Sequence, residues 1–183
     1  MKKQIIIVAL ALVAIGLGSN KISAQSNTAT TTVNITLADV ISIDQTSSAA
    51  AGGVVNFDYS TAEDYNSDQT VNVPTSLVVT STNTFDIDVK ANGENFEFNS
   101  NSIPVSVLTI KPITSGTTTM NGTPSDVVLT TTDQTLISGA DLGSELVLEL
   151  DYFIPAAKAS SSDILGKPEG TYTQTVTYTA TAQ

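Results

Sequence analysis

Glu145–Ile154 (ELVLELDYFI) decides the fold. Leu146, Leu148, Leu150 and Tyr152 fall on one side of an extended chain, and Glu149 and Asp151 fall on the other. That period of two is the mark of a half-buried β-strand, because successive side chains of a strand point to opposite faces. Thr84–Lys90 (TFDIDVK) repeats it, with Phe85, Ile87 and Val89 inward and Asp86 and Asp88 on the solvated face. Working outward, Val54–Tyr59 places Val55, Phe57 and Tyr59 on one face, and Thr30–Leu37 does the same with Val33, Ile35 and Leu37. Asp39 breaks the parity before Ile41 and Ile43 resume it, so a bulge is expected near Ala38–Asp39. Pro74 interrupts Thr70–Thr80, which predicts two short strands or an edge strand. Turn signals separate these runs, among them Asn121-Gly122 and the glycines of Ser138–Ser144. After residue 24 no window keeps a period of 3.6; the best helical stretch, Pro155–Ser162, reads as a loop with one turn. Many short strands without helices between them predict an all-β chain: a single antiparallel β-sandwich, immunoglobulin-like, of about seven to nine strands.

Composition narrows the function. Lys2 and Lys3, then the uncharged run Ile5–Gly18, then Ile22-Ser23-Ala24, have the layout of a secretory signal peptide, residues 1–24, cleaved after Ala24. The run is shorter than the roughly 20 apolar residues that a spanning helix needs. No later run is long enough either, so no transmembrane segment is expected after cleavage. The remaining domain, residues 25–183, keeps four lysines against all 18 carboxylates, a net charge of −14. Such a chain repels nucleic acid, whose recognition needs a basic surface. Cysteine is absent, so no disulfide braces the fold and no lipid is carried on a cysteine. The expected place is outside the inner membrane: secreted, extracellular or at the cell surface.

Catalytic side chains are scarce. There is no His, Arg or Cys, which removes the neutral-pH base, the bidentate anion clamp and the thiolate nucleophile. The chain is expected not to be an enzyme. Asp64-x-Asn66-x-Asp68 matches the start of a calcium loop of hard oxygen ligands. Gln69 then replaces the expected Gly, and Thr75 stands where the twelfth-position Glu belongs. The alternative reading of Ser60–Gln69 is a solubilising acidic loop, and no other cofactor is indicated.

The end of the chain, Gly170–Gln183 (GTYTQTVTYTATAQ), is its most regular pattern. Threonines occupy every odd position from Thr171 to Thr181; Tyr172, Gln174, Val176, Tyr178, Ala180 and Ala182 occupy the other face. A terminal strand of this type, with Gly170 fourteen residues from the C-terminus, resembles the spore-coat-U and chaperone–usher pilin type of subunit. The pattern Ile154–Ala157 with Gly166–Thr173 is also similar to small secreted proteins of Gram-negative bacteria. Ala182 stands where pilins carry a penultimate Tyr, and the disulfide of many pilins is absent. The resemblance implies an N-terminal extension, Thr30–Leu37, able to complete a neighbour's sheet, with partners that are other copies or other envelope proteins. It implies a non-enzymatic structural or assembly protein, a pilus-like fibre subunit using terminal strand exchange. The alternatives are that both end strands pair within their own sandwich, and that the chain is a carbohydrate- or cell-wall-binding β-sandwich module.

Overall fold

In the computed structural model, which describes residues 28–183, the chain divides after Leu37 into two units. The expected signal peptide lies outside the described residues. The described part of the first unit, Thr28–Leu37, has no regular secondary structure, so the strand expected over Thr30–Leu37 does not form there. The second unit, Ala38–Gln183, is a β-sandwich.

Its elements in order are β1 (Ile41–Ile43), α1 (Ala62–Asn66), β2 (Gln69–Ser81), β3 (Phe85–Ala91), β4 (Asn95–Phe98), β5 (Asn101–Pro104), a 3-10 turn (Val105–Val107), β6 (Thr109–Ile113), β7 (Thr123–Pro124), β8 (Val127–Val128), β9 (Gln134–Ala140), β10 (Gly143–Ile154), α2 (Ala156–Ala159) and β11 (Val176–Ala182). Eleven strands replace the seven to nine expected. The surplus comes from the short β4–β5 hairpin and the two-residue strands β7 and β8.

One sheet has the order β1-β2-β10-β6-β8 and the other β11-β3-β9-β7, with β4-β5 a separate ribbon. All pairings are antiparallel. The central order follows an immunoglobulin sandwich, β10 beside β6 in one sheet and β3-β9-β7 in the other. The outer strands depart from it: β2 lies beside β10, and the last strand, β11, lies beside β3.

Alternation builds the core. Leu148 and Leu150 of β10, Phe85, Ile87 and Val89 of β3, and Leu77 and Val79 of β2 are fully buried. Each such side chain contributes about 1.5–3 kcal/mol by leaving water. Pro74 does not split β2. The register against β10 jumps between Leu77↔Leu148 and Val73↔Leu150, so Pro74 sits in a bulge where its missing N–H breaks no rung. A hydroxyl chain crosses the core from sheet to sheet. Tyr152 Oη of β10 lies 2.6 Å from Tyr178 Oη of β11 and 3.3 Å from Ser76 Oγ of β2. Burial holds the Tyr178 phenol well above its ordinary pKa, reinforced by Tyr152. No helix among the described residues is long and apolar enough to cross a membrane.

Candidate strand-acceptor groove

Two stretches that the alternation marks as strands are only half realised as such. The first is Val54–Tyr59. Its burial alternates as expected, with Val55, Phe57 and Tyr59 part-buried between exposed neighbours, but it belongs to no sheet. The N–H and C=O groups of Val54–Asp58 have no hydrogen-bond partner among the described residues. The segment is fixed at both ends instead. Gly53 N–H donates to Ser48 C=O at 2.7 Å, and a Cβ at Gly53 would stand 2.6 Å from that oxygen, so only glycine fits the turn. At the other end α1 begins with a capping box: Asp64 Oδ2 accepts from Thr61 N–H at 2.7 Å and from Ser60 N–H at 2.9 Å.

The second is Gly170–Thr175, the first half of the expected terminal strand. Thr173 exchanges bonds of 3.1 and 3.0 Å with Glu97 of β4, and Thr175 C=O accepts from Asn92 N–H at 3.0 Å. Neighbouring residues of a strand turn their amides to opposite edges. Tyr172 and Gln174 therefore face away from β4, and their backbone groups have no backbone partner among the described residues.

A groove of about 860 Å3 is lined by Val55–Ser60 and by Lys167–Tyr172, so of the second stretch only Gly170–Tyr172 reach it. Its floor is apolar: Phe96, Ile103, Val107, Ile154 and Ile164. Five of the chain's ten aromatic residues line it, namely Phe57, Tyr59, Tyr65, Phe96 and Tyr172. Its charged groups are Asp58, Glu169 and Lys167. The rings of Tyr59 and Tyr65 meet at one end, 5.0 Å apart. Tyr59 Oη is out of reach of water and has no hydrogen-bond partner among the described residues. Burial, with Tyr65 and Asp64 nearby, pushes its pKa up to about 12.

The residues singled out in the sequence divide among three places. Gly170 and Tyr172 stand on the groove wall. Val176 and Tyr178 lie in β11, opposite Ala91 and Val89 of β3. Val33, Ile35 and Leu37 are 77, 82 and 88% exposed, so all three apolar side chains of that face meet water. The calcium-loop residues do not converge. Asp64 caps α1, Asn66 Nδ2 donates to Ala62 C=O at 2.6 Å, and Asp68 Oδ1 accepts from Ala156 N–H at 2.8 Å. Among the described residues no three or more Asp or Glu side chains gather as a metal site. Ser60–Gln69 is thus a capped helical turn rather than an acidic loop, and the backbone N–H of Thr61, with its hydroxyl and Ser60, holds the Asp64 carboxyl below its ordinary pKa.

The floor residues were not legible as a site. They come from the β4–β5 ribbon, the 3-10 turn, the end of β10 and the loop after α2, and each alone reads as ordinary core. Comparison with known protein families, curated proteins and solved structures finds no match for this chain.

Proposed function

We propose that this is a non-enzymatic extracellular or cell-surface structural protein, a fibre-type subunit in which Thr30–Leu37 of one copy enters the groove of the next. One observation carries the reading. A groove with an apolar floor is lined by Val55–Ser60 and Lys167–Tyr172, and the backbone groups of Val54–Asp58 and Tyr172 have no backbone partner among the described residues. Strand addition satisfies such groups and sends alternate side chains into pockets below. The proposed donor fits on two counts. Val33, Ile35 and Leu37 share one face and are exposed. Residues 25–38 carry no charged side chain in a domain of net charge −14, so the donor brings no like charge to its acceptor.

A carbohydrate- or cell-wall-binding module is the second reading. It is favoured by the five aromatic side chains in the groove, since ligand pockets are concave, aromatic-lined and of this size. The test compares residues 25–183 with a version lacking 25–38, by size-exclusion chromatography and electron microscopy. Strand exchange predicts multimers only from the longer chain. Two monomers of equal stability, with one binding cell-wall glycan, would decide for the module.

A further inference from the structure

Val54–Tyr59 is shaped as a strand and bonded as a loop. Three alternating side chains pack inward, while five consecutive residues leave their backbone groups unpaired. A lack of backbone bonds lowers the local stability of a segment, although Val55, Phe57 and Tyr59 pack against the core. Its Tyr59 hydroxyl is the single buried side-chain polar atom without a partner among the described residues. Such a group bears the cost of losing water with no bond in return. The pivot at its start is Gly52–Gly53; Gly52 has φ +76°, and the space where its Cβ would stand is open. Its far end is held by the Asp64 cap on Ser60 and Thr61. Because Val54–Tyr59 belongs to neither sheet, a shift between these two points breaks no sheet pairing.

We infer that the groove grips its strand on both edges, with Val54–Tyr59 recruited as a sheet strand on entry and the Tyr59 hydroxyl gaining its missing bond in that shift. This rests on the strand-exchange reading above, the occupant being Thr30–Leu37 of a second copy. Along the other edge the entering strand meets the unpaired backbone of Tyr172. The eight residues Thr30–Leu37 span about 26 Å when extended at ~3.3 Å each, so one donor can run along both walls. Val33, Ile35 and Leu37 then face Phe96, Ile103, Val107 and Ile154, and the donor's other face, Thr32, Asn34 and Thr36, meets solvent. The filled groove pairs Val54–Tyr59, which belongs to neither sheet in the monomer, with the entering strand.

The experiment is hydrogen–deuterium exchange on residues 25–183, comparing monomer and assembled fractions. Alternate amides of Val54–Tyr59, together with that of Tyr172, are expected to slow by about tenfold or more on assembly. Tyr59→Phe supplies a second readout with two opposite signs. It removes the orphan hydroxyl from the monomer, which should melt higher, and the new bond from the assembly, which should bind about fivefold more weakly. Assembly in which Val54–Tyr59 keeps its monomer exchange rates would overturn this inference and leave strand exchange standing. A Tyr59→Phe monomer that melts lower would also overturn it. Absence of any assembly would overturn both.

Discussion

Gly170→Ala tests why a glycine stands at the groove wall. A methyl carbon added there falls inside the Phe98 ring, 2.5 Å from its Cδ1. The ring cannot stay, and it packs on Tyr172 with centroids 5.5 Å apart at 55°. Overpacking of this kind costs about 1–3 kcal/mol, and losing the aromatic pair about 0.5–1.5 kcal/mol. The combined loss is about 2–4 kcal/mol, which lowers the melting temperature by about 4–16 °C for a domain of this size. Thermal unfolding followed by circular dichroism reads it directly. Gly166→Ala is the control. Gly166 has φ +85° but nothing within 4 Å of its Cβ position, so only the backbone cost of about 1 kcal/mol remains. Combining Gly170→Ala with Phe98→Ala should destabilise less than the two single changes added together, because the ring is no longer in the way. Wild-type stability for Gly170→Ala, or strict additivity in the double variant, would refute the steric account.

Tyr178→Phe removes one end of the hydroxyl chain that ties β11 to β10 and should cost about 1 kcal/mol in urea unfolding; no loss would mean that the 2.6 Å contact contributes nothing. Glu149 is held below its ordinary pKa by the backbone N–H of Thr117, with Asn72 and the Thr117 hydroxyl adding to it. A lowered carboxylate adds stability that is complete above its unfolded pKa of about 4.3 and disappears as pH falls through the folded value. Melting temperature should therefore drop below about pH 4 in the wild type, and the drop should be shallower in Glu149→Gln. Asp64→Asn weakens the cap of α1, and its melting temperature should fall equally with and without calcium. A calcium-dependent gap between the variant and the wild type would restore the metal-site reading.

Side-chain parity made the buried faces of β3 and β10 readable from residue types alone, since Phe85, Ile87, Val89, Leu148 and Leu150 all lie where it places them. Parity reports which side of a chain is buried and says nothing about whether its edge has a partner. Val54–Tyr59 and Thr30–Leu37 therefore read as strands, yet neither joins a sheet. Pro74 misled in part: β2 is unpaired by any strand on one side there, as an edge strand is, but a bulge absorbs the proline without splitting the strand. The capping box of α1 was in view as Thr61-x-x-Asp64, but the five-residue helix is too short to show a period. The chain's ten aromatic residues are scattered along the sequence, and the fold gathers half of them into one groove from segments far apart. Gly170 stood out by position, while its reason, the Phe98 ring, lies 72 residues away.

The central claim is that Thr30–Leu37 of one copy lies in the groove of another. The absence of cysteine allows this to be tested by site-directed disulfide formation. One preparation of residues 25–183 carries Ile35→Cys and a second carries Ile103→Cys on the groove floor; they are mixed and oxidised. Strand exchange predicts a disulfide-linked pair containing one of each, and none when the second cysteine is instead placed at exposed Val128 of β8. Failure to form the mixed pair, or equal yield with the Val128→Cys chain, would contradict it.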